Sequence, residues 1–124
     1  MKKLLYKYRV YSRIKGRKKT RSFDKAFFEN SKINLEKDLK RSKKNIIDIG
    51  SGSGENTLFL AQKNPNAFVI AIDVFQDGNI NLCNQLSKLE LNNVKLFSKN
   101  FLILFDNLKK DNYFNEIWIL FPDP

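Results

Sequence analysis

Three glycines alternate with other residues in "IIDIGSGSGEN", at Gly50, Gly52 and Gly54, with Asp48 two positions ahead and Glu55 directly behind. Glycines in that pattern let the backbone turn sharply and let a ligand approach without meeting side chains. A dinucleotide fingerprint needs a glycine at position 55 and sets a pyrophosphate at the following helix start, where the Glu55 carboxylate would repel it. A nucleoside that carries a positive sulfonium in place of phosphates suits the loop better, and S-adenosylmethionine is such a ligand. Asp48 would then face its methionine end, with the loop backbone lining it. Asp73, in "AIDVF", lies about 20 residues beyond the glycines, the separation at which a carboxylate accepts from both ribose hydroxyls. Phe75 could lie on the adenine ring.

Each of these residues also has a purely structural reading. A glycine turn can serve only the chain path, Asp73 can be a loop-entry residue, Glu55 can favour a helix dipole and Phe75 can belong to the core. Their joint occurrence, each carboxylate at the end of an apolar run, favours cofactor binding. A further acid, Asp123, stands between Pro122 and Pro124 behind the apolar run "NEIWILF". The prolines restrict the backbone on both sides of it, which suits either an ordinary strand-ending turn or an acid aimed at a substrate.

The elements that must position these residues alternate along the chain. Strand-like runs fall at 45–50, 67–73, 94–98 and 115–121, and helix-compatible spacing falls at 55–64, 76–91 and 100–110. That alternation predicts an α/β fold: a parallel sheet built from βαβ units, with both acids and the glycine turn at the carboxyl ends of strands, where such sheets bind ligands. Ahead of it, residues 23–44 read as a short helix capped by Ser22 or Asp24, followed by a charged linker, "LKRSKK". The fourth run is apolar on both parities and reads as an interior strand. Its second neighbour would have to come from sequence beyond residue 124, so a fragment of a longer domain, or a truncated reading frame, is expected.

Charge is concentrated at one end. Residues 1–22 hold ten of the 23 Lys and Arg and no acid, while the remaining 13 basic residues balance all 13 acidic ones. With Tyr6, Tyr8 and Tyr11 interleaved, the segment reads as an arm that pairs with phosphates and stacks on bases, against the alternative of a solvated tail. The apolar "LLY" is too short for a secretory signal and no run is long enough to cross a bilayer, so a soluble, cytoplasmic chain is expected. With no histidine and one cysteine, neither a zinc site nor a histidine triad is expected, and Cys83 reads as a semi-buried structural residue.

With "IIDIGSGSGE", "AIDVF" and "LFPDP" in that order, the sequence resembles the tRNA (guanine-N7-)-methyltransferase family of class I methyltransferases, from about Arg13 to the terminus. The terminal "PDP" is the discriminating motif, since the glycine loop is shared by many methyltransferases. The resemblance implies a Rossmann-like sheet in the order 3-2-1-4-5-7-6, of which the first four strands are present, with helices on both faces. It implies S-adenosylmethionine as donor, guanine N7 in the variable loop of tRNA as acceptor, no metal, and a monomer when complete. Asp48 and Asp73 match cofactor-contacting acids, Asp123 matches the aspartate at the catalytic centre, and Asn100 falls where the family usually has an aspartate near the adenine. The basic "RIKGRKKT" is similar to the family's N-terminal arginine-glycine segment, which makes Arg13, Lys15, Arg17, Lys18 and Lys19 RNA-binding candidates. The expected organisation is an arm (1–22), a lead-in (23–44) and the first part of a cofactor-binding methyltransferase domain (45–124). A non-catalytic RNA-binding fragment is the alternative; a nucleotide-dependent oxidoreductase is disfavoured by the GxGxG spacing and Glu55.

Overall fold

A computed structural model describes residues 22–39, 43–107 and 114–119. Helix α1 (Lys25–Ser31) and a single turn, α2 (Leu35–Asp38), lead into β1 (Asn45–Ile49), α3 (Glu55–Lys63), β2 (Phe68–Ile72), α4 (Gln76–Lys88), β3 (Val94–Phe97), α5 (Phe101–Asn107) and β4 (Glu116–Ile119). The four strands form one sheet in the order β3-β2-β1-β4, and every pairing is parallel. The parallel sheet is the one expected from the alternation of runs, and its order is the Rossmann-like one that the resemblance implies.

The two central strands are buried because both their faces are covered. On one face Ile46, Val69 and Leu96 pack with Phe28 of α1, Leu60 of α3 and Leu82 of α4. On the other, Ile47, Ile70 and Ile72 pack with Leu39 after α2 and Leu104 of α5. Each such aliphatic side chain contributes about 1.5–3 kcal/mol when removed from water. Cys83 belongs to the first of these layers and is 1% exposed, fully rather than semi-buried. Burial raises its thiol pKa, and the Ser31 hydroxyl lies 3.5 Å from its sulfur.

The lead-in differs from the single helix expected. Asp24, rather than Ser22, caps α1 by accepting from Phe27 N at 3.1 Å. The helix then stops, because Lys32 bridges Leu96 in parallel and Ile33 N donates to Leu96 O at 2.9 Å. An edge strand leaves main-chain carbonyls unpaired, and this extended link satisfies one of them. Asn34 restarts the helix as α2 by accepting from Lys37 N.

Helix α4 also ends short of residue 91. Glu90 takes a left-handed φ of 55°, and Leu91 N turns back to Leu86 O at 3.0 Å. Strand β4 lies at the sheet edge and, among the described residues, pairs with β1 alone, with Ile117 and Ile119 exposed at 52% and 58%. The expected covering of both its faces is therefore not present among the described residues.

Asn93, just before β3, ties three connections together. Its Nδ2 donates to Ala61 O, Asn64 O and Ala67 O at 3.1–3.2 Å, joining the end of α3 to the start of β2. Asn93→Ala should lower unfolding free energy by about 1–3 kcal/mol, read as a reduced urea midpoint with unchanged slope. An unchanged midpoint would show the clasp to be idle.

Candidate functional site

Because all the strands are parallel, β1, β2 and β3 deliver their following residues to one rim. Gly50 N and Ser51 N both donate to Ile72 O, at 2.7 and 3.2 Å, so the glycine loop is laced to the end of β2 from its first residue. Gly50, Gly52 and Gly54 all have positive φ, at 74°, 56° and 91°. At Gly54 the requirement is double, since a Cβ there would also sit 2.6 Å from Leu82 Cδ1. At Gly52 it is conformational only: among the described residues, nothing lies within 4 Å of the Cβ position. The loop is thus backed by α4 and open on the other side.

Asp73 joins the loop to the second strand. Its Oδ2 accepts from Gly52 N at 2.7 Å and its Oδ1 from Phe75 N at 2.9 Å. A carboxylate has about four lone-pair sites, so each oxygen keeps capacity for a further donor. Phe75 precedes α4, half-buried, and its ring edge reaches the first turn of that helix at Gly78. Asn79 Nδ2 donates to Asp73 O at 2.9 Å, fixing the main chain beneath the carboxylate.

Asp48, near the end of β1, is held from the side of α3. It is 0% exposed and presents no surface to the open side of the loop. Instead Thr57 Oγ1 donates to it at 2.7 Å and Asn56 Nδ2 at 3.3 Å, which pins the first turn of α3 to β1. Through these two bonds Asp48 anchors the helix whose start borders the site. Burial raises its pKa above the ordinary 3.8, the bonds from Thr57 and Asn56 pull it down, and the charge of Asp73 adds a smaller upward push.

Over the loop and the start of α3 lies a cleft of about 510 Å³, lined among the described residues by Ser51, Ser53, Glu55 and Asn56. Ser51 is 8% exposed and, among the described residues, its hydroxyl has no hydrogen-bond partner, an arrangement native proteins avoid unless something else supplies one. The Asn79 Oδ1 is in the same condition. Asn100, beyond β3, caps α5: its Oδ1 accepts from Leu102 N at 2.9 Å. The oxygen must face that N–H, so the group it has left for any ligand is its NH2, a donor. Asp73 N donates to Phe97 O at 3.2 Å, which keeps the ends of β2 and β3 side by side.

Among the sequence candidates, then, Gly50, Gly52, Gly54, Asp73 and Phe75 meet at one rim, Asp48 lies beneath it, and Asn100 follows the neighbouring strand. Asp123 and the basic candidates Arg13, Lys15, Arg17, Lys18 and Lys19 lie outside the described residues. Sequence reasoning passed over Ser51, Asn56, Thr57, Gly78 and Asn79. For Gly78 a signal existed, because a glycine three residues into a helix costs about 1 kcal/mol relative to alanine and calls for a packing reason. Among the described residues no cluster of His, Cys, Asp or Glu could hold a metal, and no helix is long and apolar enough to cross a membrane.

A family model described as "Putative methyltransferase" matches residues 42–124. The chain belongs to this methyltransferase family. Curated relatives include the tRNA (guanine-N(7)-)-methyltransferase of Chromobacterium violaceum, 33% identical over 74% of this chain and 41% of that protein. The enzyme of the same name from Magnetococcus marinus is 36% identical over 68% and 33% respectively. A "Bifunctional methyltransferase" of Rickettsia conorii is 34% identical over 72% of this chain and 17% of its own length. The chain therefore spans less than half the length of each of these relatives.

Solved structures agree on the fold. An antibiotic-related methyltransferase superposes with a TM-score of 0.57 at 25% identity, covering 84% of this chain and 51% of that one. A Streptococcus mutans methyltransferase in complex with SAH gives 0.52 at 23%, covering 68% and 46%. The sheet and its helices are those of the class I methyltransferases.

The buried acid of this methyltransferase fold has a signed consequence. With the folded-state pKa of Asp48 raised above 3.8, the folded chain holds that proton to higher pH than the unfolded chain does. The resulting stability is lost as pH rises from 3.8 through the raised value. Asp48→Asn removes the titration, so the stability of the wild type relative to this variant should grow as pH falls from neutral into the carboxylate range. Urea titrations at several pH values check this, and a pH-independent difference would contradict it.

Proposed function

We propose that this chain provides the cofactor-binding half of a tRNA (guanine-N7-)-methyltransferase that uses S-adenosylmethionine. The observation that carries the reading is the Gly52–Asp73 hydrogen bond, which sets a carboxylate with spare acceptor capacity beside a loop open on its outer side. The residues present fit the donor. Asp73 can accept from the two ribose hydroxyls, the orphaned Ser51 hydroxyl can donate to the methionine carboxylate, and the Asn100 amide can donate to an acceptor on the base edge. Glu55 at the start of α3 repels phosphate and favours a cationic ligand. The names of the relatives supply the acceptor, guanine N7 of a tRNA.

When bound, the donor supplies an electrophilic methyl group on a sulfonium. Guanine N7 carries a lone pair and no proton, so the chain needs no strong base; its work is alignment of nitrogen, methyl and sulfur. The register pairs Ile119 with Ile49, one residue ahead of Gly50, so the carboxyl end of β4 lies at the rim that carries the glycine loop. This supports Asp123, four residues further on, as the acid that accepts from the guanine amino and imide groups and balances the positive charge growing on the base. Arg13, Lys15, Arg17, Lys18 and Lys19 would pair with tRNA phosphates, an attraction that weakens as salt is added.

Two titrations and one assay test the reading. The wild-type chain should bind S-adenosylhomocysteine in preference to NAD, and Asp73→Ala should weaken that binding at least about ten-fold, the loss of roughly 1.4 kcal/mol expected for a charge-assisted contact. In the full-length protein, Asp123→Ala should abolish 7-methylguanine formation in tRNA while leaving S-adenosylhomocysteine affinity intact. Tighter binding of NAD, or undiminished turnover by the Asp123 variant, would overturn the corresponding part.

A further inference from the structure

Gly78 sits in the first turn of α4, and no sequence motif marks it. A Cβ built there would lie 2.1 Å from Gly52 O, 2.7 Å from Gly52 C and 2.7 Å from Phe75 Cδ2. The backbone of the helix therefore rests directly on the backbone of the glycine loop, and the aromatic ring closes over the same spot. One turn further along the same helix face, Leu82 presses on Gly54. Between them, at Asn79, the helix also holds Asp73 O. A single helix turn thus touches the loop, the ring and the strand end that surround the candidate donor site.

We propose, on the basis of the cofactor reading above, that Gly78 is a positioning residue for the donor. By letting α4 seat against the Gly52 carbonyl, it fixes the separation between the glycine loop and the Asp73 carboxylate, and with it the placement of the nucleoside. Gly78 touches no donor atom itself. The direction of yielding follows from the packing. Helix α4 is anchored by Ile80, Leu82, Cys83 and Leu86, all buried in the core. Gly52 has open space at its Cβ position among the described residues. A methyl at position 78 therefore displaces the loop rather than the helix, and strains the Gly52 N–H bond to Asp73.

The test compares wild type, Gly78→Ala and, as a control on the exposed side of the same turn, Gln76→Ala. Calorimetric titration with S-adenosylhomocysteine gives affinity, thermal melting gives stability, and the ¹H–¹⁵N resonance of Gly52 gives loop position. Gly78→Ala should remain folded with a lowered melting temperature, show a shifted Gly52 amide and bind at least ten-fold more weakly, with Gln76→Ala unchanged in all three. Binding within two-fold of wild type overturns the proposal. So does a variant that is unfolded at the assay temperature, or one whose α4 amides shift while Gly52 stays in place, since the helix would then have yielded and Gly78 would be structural. Failure of the wild type to bind would instead defeat the cofactor reading and this proposal with it; normal wild-type binding with an indifferent Gly78→Ala defeats this proposal alone.

Discussion

One hydrogen bond, from Gly52 N to Asp73 Oδ2, organises the rim of this protein. It crosses from the turn after β1 to the end of β2, and its two partners are each held from behind. The loop is fixed by Ile72 O on one side and by the close approach of α4 on the other. The strand end is fixed by Asn79. A charge-assisted bond of this kind is stronger than a neutral one, and it turns a glycine-rich segment, otherwise the most pliable part of the chain, into a shaped surface. The open side of Gly52 and the unpartnered Ser51 hydroxyl give that surface something to offer.

The two acids of the rim divide their work by environment. Asp48 is sealed under the loop and receives donors from Asn56 and Thr57, so it acts on the position of α3. Asp73 is only half-buried and receives main-chain donors, one on each oxygen. Both sit at strand ends in the same sheet, and nothing in their residue type separates them. What does is Thr57, one turn into α3 and nine residues after Asp48, which brings a hydroxyl under the loop.

The legibility of this structure in the sequence follows the range of the forces involved. The runs "NIIDI" and "FVIAI" announced strands, and they form the centre of the sheet. The glycines announced a turn, and all three have positive φ. The interruption of the lead-in helix was not legible, because Lys32 and Ile33 leave the helix to serve the edge of β3, more than sixty positions away. Burial of Cys83 and of Asp48 likewise depends on which helices close over them. Gly78 gave a trace, a poor helix former inside a helix, but its partner is a carbonyl on another element. Local composition fixes elements; pairings across the fold decide which residues face a ligand.

The central claim is that the loop from Gly50 to Gly54 and Asp73 together hold the nucleoside of a sulfonium donor. Adding S-adenosylhomocysteine to the ¹⁵N-labelled chain and following backbone amides tests it most directly. The amides of Ser51, Gly52 and Asp73 should move together along one saturable curve, with the outer turns of α1 and the strand-starting ends of β1 and β2 unmoved. No saturable shift at Gly52, or shifts confined to residues away from this rim, would contradict the account.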